Sequence, residues 1–363
     1  MHHGRCSTVG GPRRVGRNGI LFIGAFREVL VVGLVVGLVL FALCEAKSVL
    51  QLHSSAQTGD SSDERTNPVL SLDFDEDQHS LLVHSWPEYF EEIHLDSQVV
   101  SKRVAPQGLT SVATSAKNST TIMLTQWGQE GLLRHAAYIL RQGEFVMSEE
   151  IDFGELSIAN AYISDDGSVA MVISHEGACV GWELTQPKPT RWEYRLPHTA
   201  VTKRLSPDGR TLFVLSTGGV ATIRDARTGE PQMTLPKIIG NSRGVVWSGD
   251  GRRLALSDPQ GGLYVIDVAS GKVVWKYQLD FLFGRSMSIS KDGNLLAVSS
   301  FDKQIRLWDL SDSASQPHML VGHESIITDM AFNSANTKLV SGSLDGSICE
   351  WSLATNQRIR QIR

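Results

Sequence analysis

Three features of the 363-residue sequence predict an all-β chain folded as a seven-bladed β-propeller of four-stranded blades, preceded by one N-terminal hydrophobic helix. A turn motif recurs every 42 residues, short β-branched runs separated by Gly and Asp fill each period, and one long apolar run lies near the N-terminus. With 41% apolar and 20% charged residues, the chain has enough apolar side chains for a large core. Four cysteines over this length exclude a small disulfide-framework fold.

The elements follow in chain order. Residues 1–28 form a basic leader, and residues 1–44 hold Arg5, Arg13, Arg14, Arg17 and Arg27 against Glu28 alone. With five bases and one acid that segment carries +4, so the net charge of −5 leaves −9 on the remaining residues. A body that acidic repels phosphate backbones, which argues against nucleic acid as a partner. Residues 29–46 contain the uncharged run VLVVGLVVGLVLFALC at Val29–Cys44. As a helix it would extend about 24 Å against a hydrocarbon core of roughly 30 Å. It is therefore expected to be either a transmembrane anchor or the core of a signal peptide, cleaved beside Cys44 and Ala46. Residues 45–100 hold twelve acids and only Lys47 and Arg65 as bases, so the positive-inside rule keeps the leader cytoplasmic. The propeller is then expected outside the cytoplasm, membrane-tethered through residues 29–44, or secreted if the leader is cleaved. Residues 47–67, polar and turn-rich, read as a flexible tether.

Residues 68–363 carry the repeat. The turns ISDDGS, LSPDGR, WSGDGR and ISKDGN place Ser164, Ser206, Ser248 and Ser290 at intervals of 42, with a degenerate fifth copy at Asn333. Each turn precedes two short apolar runs, such as Leu212–Leu215 and Val220–Ile223, which are too short for helices and are read as meander strands. The third strand gives a separate count through Leu140, Trp182, Arg224, Ile266, Trp308 and Trp351, and Ile93 lies 47 residues before the first. Seven copies with room for four strands each define the propeller; a two-sheet sandwich has no reason to keep a constant period.

The last two copies resemble WD repeats, through LLAVSSFDKQIRLWDL at 295–310 and GHESIITDMAFNSANTKLVSGSLDGSICEWSL at 322–353. The resemblance implies that His323, Ser341, Asp345 and Trp351 form a hydrogen-bonded chain, structural rather than catalytic. The sixth copy keeps Ser299, Asp302, Trp308 and Asp309 but has Phe281 near the histidine position. The segment LYVIDVASGKVVWKYQL at 263–279 resembles the repeat of quinoprotein dehydrogenases and of a related outer-membrane assembly lipoprotein, which implies that Trp275 docks one blade on the next. The tryptophan does not recur, since Met233 and Pro317 stand 42 residues to either side, so a quinone is not expected.

No nucleophile elbow, zinc-protease helix or phosphate-binding loop is present. His79, His84 and His94 lack metal-ligand spacing, and Cys179 and Cys349 fall on equivalent strands as expected buried thiols. No catalytic residue, metal or cofactor is therefore expected. What remains is surface. HSWPEYFEE at 84–92, TQWGQEGLLRH at 125–135 and LDFLFGRS at 279–286 are aromatic loops expected on one face. Trp86, Tyr89, Phe90, Trp127, Phe281 and Phe283 are the candidate anchors for a protein or peptide partner, since rigid aromatic side chains dominate interfaces. The expected function is a non-catalytic interaction scaffold. The alternatives are a propeller enzyme, such as a lactone hydrolase or quinoprotein-like dehydrogenase, or an envelope-assembly factor.

Overall fold

The computed structural model describes residues 68–74, 80–85, 89–97, 100–104, 109–115, 117, 120–127, 134–141, 144–153, 159–236, 244–279, 283–312, 314 and 316–363. The expected leader, hydrophobic helix and tether lie outside the described residues. Among the described residues no helix is long and apolar enough to cross a membrane.

The described residues form seven antiparallel sheets of four consecutive strands. Blade 1 comprises β1 (Val69–Phe74), β2 (Ser80–Ser85), β3 (Tyr89–His94) and β4 (Val100–Val104); blade 2 comprises β5 (Leu109–Thr114), β6 (Thr120–Trp127), β7 (Arg134–Arg141) and β8 (Glu144–Ile151). Blade 3 holds β9 (Ala159–Ile163), β10 (Val169–Ser174), β11 (Ala178–Glu183) and β12 (Thr190–Arg195); blade 4 holds β13 (Ala200–Leu205), β14 (Thr211–Ser216), β15 (Ala221–Asp225) and β16 (Pro231–Thr234). Blade 5 runs through β17 (Gly244–Trp247), β18 (Arg253–Ser257), β19 (Gly262–Asp267) and β20 (Lys272–Gln278). Blade 6 runs through β21 (Phe283–Ile289), β22 (Leu295–Ser300), β23 (Ile305–Asp309) and β24 (His318–Leu320). Blade 7 ends the chain with β25 (Ile327–Phe332), β26 (Lys338–Ser343), β27 (Ile348–Ser352) and β28 (Gln357–Gln361). First strands touch in succession from β5 through β9, β13, β17 and β21 to β25, and β25 touches β1, which brings the last sheet back to the first.

The burial of each strand follows its place in the blade. Second strands lie between a first and a third strand and have neighbouring blades on both faces, so β10, Val-Ala-Met-Val-Ile-Ser, is buried at every residue. Fourth strands form the rim and alternate, as in β12. The core is correspondingly divided, since each apolar cluster joins two adjacent blades. Phe213, Leu215 and Ile223 of blade 4 pack with Val245, Leu254 and Leu256 of blade 5, for example.

The recurring turn joins first to second strands, and its residue types have defined tasks. Ser164, Ser206, Ser248 and Ser290 each donate through Oγ to the Asp two residues on, at 2.7, 2.6, 2.6 and 2.7 Å. The same oxygens accept the N–H five residues on, at 2.9, 3.0, 2.9 and 2.9 Å. The following Gly takes φ of 65°, 68°, 69° and 73°, the left-handed region where a Cβ is penalised. In blade 7 Asn333 Oδ1 accepts the Lys338 N–H at 2.9 Å and Asn336 adopts φ 54°, so asparagines take over both roles. These turns occupy the lower face. The connections from second to third strands, and from each blade to the next, occupy the opposite, upper face.

Candidate functional site

The upper end of blade 7 holds a polar chain. His323, in the connection entering the blade, approaches Ser341 Oγ through Nε2 at 2.6 Å, and Trp351 Nε1 donates to the same oxygen at 2.8 Å. All three side chains are buried, so each needs these partners. Asp345 does not bond His323 directly: its Oδ1 accepts the Ser347 N–H at 2.9 Å, and Ser347 Oγ lies 3.2 Å from His323 Nδ1. Ser347 is thus a link that the sequence pattern did not include. Burial holds the His323 pKa down at about 4, so the ring is neutral at physiological pH.

The same positions decay upstream. Ser299 of blade 6 turns to the Ser286 backbone, donating to its carbonyl at 3.0 Å, and Trp308 Nε1 is buried with no hydrogen-bond partner. In blade 5 the equivalent Ser257 Oγ is likewise buried without one, and Asp258 instead accepts Tyr264 OH at 2.9 Å. Trp275 sits between blades 5 and 6, its ring 6.1 Å from that of Trp308 in an edge-on arrangement, and its Nε1 also lacks a partner. Asp302 is held by Arg306 at 2.6 Å.

The aromatic candidates are placed less fully. Trp86 and Phe281 lie outside the described residues, and for Tyr89, Phe90, Trp127 and Phe283 the description covers the backbone alone. That backbone puts Tyr89 and Phe90 at the start of β3, Trp127 at the end of β6 and Phe283 at the start of β21, all at upper-face ends of their strands. Two residues not singled out from the sequence share this face. Phe301, in the turn between β22 and β23, is 49% exposed, and Val321, just after β24, is 63% exposed. Because Ile305 pairs with both Ser299 and Leu320, the turn and the end of β24 are adjacent. The alternation of strand faces was the available signal: Leu320 is buried, which leaves Met319 and Val321 turned outward.

Inside the ring a cavity of about 600 Å³ opens at the lower face, lined by Leu72, Trp247, Phe332, Asp165, Lys117 and Lys291 among others. A smaller space of about 300 Å³ is lined by His84, Tyr162 and Asp329. Burial raises the carboxyls of Asp165 and Asp329 to about 6 and lowers His84 to about 4. Asp329 accepts the Leu72 N–H at 3.0 Å and Ser286 Oγ–H at 3.3 Å, which occupies it structurally. Among the described residues no three His, Cys, Asp or Glu side chains gather as a metal site. Cys179 and Cys349 are free and buried, and burial pushes the Cys179 thiol up to about 12, so neither is a poised nucleophile.

Seven four-stranded blades with a polar chain of this kind define a repeat propeller, and comparison with known proteins gives the same result. A family model described as WD domain, G-beta repeat, matches residues 285–309 and 314–352. Another, described as outer membrane protein assembly factor BamB, matches residues 98–277, a wider segment than the 263–279 stretch whose sequence resembles that group. The WD repeat-containing protein SL1-17 of Schistosoma mansoni is 28% identical over 43% of this chain and 52% of its own length. Human WD repeat and SOCS box-containing protein 1 is 26% identical over 35% of this chain and 26% of its own. The chain thus spans about half or less of these relatives. The β-propeller domain of Cps50 (Swd1) from Myceliophteria thermophila superposes with a TM-score of 0.64 at 16% identity, over 81% of this chain and 100% of that one. These matches make the chain similar to WD-repeat propellers, with the matching motif in its last two blades.

Proposed function

We propose that the propeller is a non-catalytic scaffold that binds a protein or peptide through its upper face. The observation that carries this reading is the exposure of Phe301 and Val321, apolar side chains at the upper end of blade 6, on the face where the backbone ends at Tyr89, Trp127 and Phe283 also lie. The resemblance to WD-repeat proteins supports it. In the sequence the leader adds a membrane tether, through the uncharged Val29–Cys44 run and the arginines before it. External protease on intact cells is then expected to cut within residues 47–67 and spare residues 5–27; an active cytoplasmic reporter after Arg363 contradicts that orientation.

Site-specific photo-cross-linking tests the binding face. A cross-linker at position 301 is expected to capture a partner reproducibly, whereas one at Phe145, which is 64% exposed at the lower end of β8, is not. Equal capture at both positions would rule out a dedicated upper face. A second reading, envelope assembly or quinoprotein-like chemistry, draws on the match over residues 98–277. A stoichiometric cofactor absorbance in the purified protein would favour it.

A further inference from the structure

Among the described residues each blade is built from four consecutive strands, so blade 1 and blade 7 share no strand there. Every other junction between neighbours is spanned by the chain itself. Among the described residues the seam between first and last blades is therefore held by non-covalent contacts. Val69, Leu72, Phe74, Leu81 and Val83 meet Ala331, Val340 and Ile348 in one apolar cluster. Gly342 faces Val69 so closely that a Cβ there would overlap it.

Polar ties among the described residues cross the same seam. Asp329 of β25 accepts the Leu72 N–H of β1 at 3.0 Å. Arg363, just beyond β28, makes the wider span. Its Nε donates to Gly346 O of blade 7 at 2.8 Å, its Nη2 donates to Ser85 Oγ of β2 at 3.1 Å, and its Nη1 pairs with Glu91 of β3. The side chains are 15% and 6% exposed, so the pair is held in a largely dehydrated site where one guanidinium fork fixes three groups. Removing one partner there would take a charge-assisted contact out of a largely dehydrated site.

We propose that the Arg363 fork is the latch of the ring, and that the propeller opens at the blade 1–blade 7 seam, as a partial unfolding of these two blades that precedes global unfolding. A repeat array loses its end units most readily because they have one covalently linked neighbour each, and here the fork ties those two ends together. The latch is independent of partner binding and of the membrane reading.

Hydrogen exchange of the full chain, followed by mass spectrometry at rising sub-denaturing urea, tests it. In the unsubstituted protein, amides of β1–β3 and β26–β28 are expected to exchange before those of β10, β14 and β18. Arg363→Ala is expected to speed exchange in blades 1 and 7 at least tenfold while leaving β14 and β18 unchanged. Glu91→Gln is expected to speed the same amides by a smaller factor, and Arg363→Lys, which keeps the charge without the fork, to fall between Arg363→Ala and the unsubstituted protein. If Arg363→Ala does not fold, the two milder variants and the unsubstituted protein still report the order of opening. Exchange that rises equally in all blades, or that begins in blades 3 to 5, would overturn the proposal.

Discussion

At the scale of single residues, hydrogen-bond satisfaction separates side chains that look equivalent in sequence. Trp308 and Trp351 occupy the same position in successive blades and are both fully buried, but only Trp351 Nε1 has an acceptor, Ser341 Oγ. Trp351→Phe removes that donor and leaves Ser341 and His323 under-satisfied, so it is expected to cost about 1–3 kcal/mol in urea unfolding. Trp308→Phe also loses volume but discards an unpaired indole N–H, and is expected to cost less by about 1 kcal/mol or more. Equal costs would mean that the polar chain contributes nothing beyond packing. Asp345→Ala, which frees the Ser347 N–H and unsettles the hydroxyl next to His323, is expected to cost about 1–2 kcal/mol by the same assay. His323, Ser341 and Trp351 were legible because their residue types and spacing recur in a known pattern. Ser347 was not, since a serine in a Gly-containing turn is ordinary composition. Val321 was signalled only by alternation along β24, which needs Leu320 to be known as inward, and Phe301 was not legible because it lies in the turn between β22 and β23, where no alternation applies.

At the scale of strands and turns, the period was legible because one local solution is used repeatedly. A Ser that caps, an Asp that accepts and a Gly at positive φ each leave a letter in the sequence, and four copies in phase make the reading secure. Blade 1 was a faint copy, since its first turn, like that of blade 2, lacks the Ser-x-Asp-Gly pattern, and its third strand stands 47 rather than 42 residues from the next. First-strand bulges left no such trace. Register shifts near the start of β1, β5, β13 and β25, between Val69 and Ser71 or Ile327 and Asp329 for instance, depend on how each strand meets the ring axis. Close packing between blades is equally silent in sequence and is testable. Gly342→Ala puts a methyl group into Val69 and Leu72 across the seam, and is expected to destabilise by about 1–3 kcal/mol, whereas Gly218→Ala, with open space around its Cβ position, is expected to be nearly neutral. Denaturant midpoints of the two variants that coincide would contradict the packing drawn for the seam.

At the scale of the whole molecule, buried ionisable groups of opposite kind shape the pH response. His84 and His323 are held near 4, so the stability from their neutral rings is complete above 6.5 and is lost as the pH falls toward 4. Asp165 and Asp329 are raised to about 6, so the folded state binds their protons first and gains stability as the pH falls through 6 toward 3.8. The slopes oppose one another between about pH 4 and 6, which predicts a shallow stability profile there. Asp329→Asn removes one compensating group and is expected to give a steeper loss of stability on acidification; an unchanged profile by thermal unfolding at successive pH values would refute the compensation. The ring closure that creates these environments joins residues as distant as Glu91 and Arg363, which no local pattern could reveal. In the proposed function the upper face of this ring holds a partner through exposed apolar side chains while the blades beneath supply rigidity. Its most direct test is the affinity of the partner captured at position 301 for Phe301→Asp combined with Val321→Asp, read alongside the thermal midpoint. An affinity loss of at least tenfold is expected, with a midpoint within about 2 °C of the unsubstituted protein, since exposed residues contribute little to the core. Unchanged affinity in a folded double variant would contradict it.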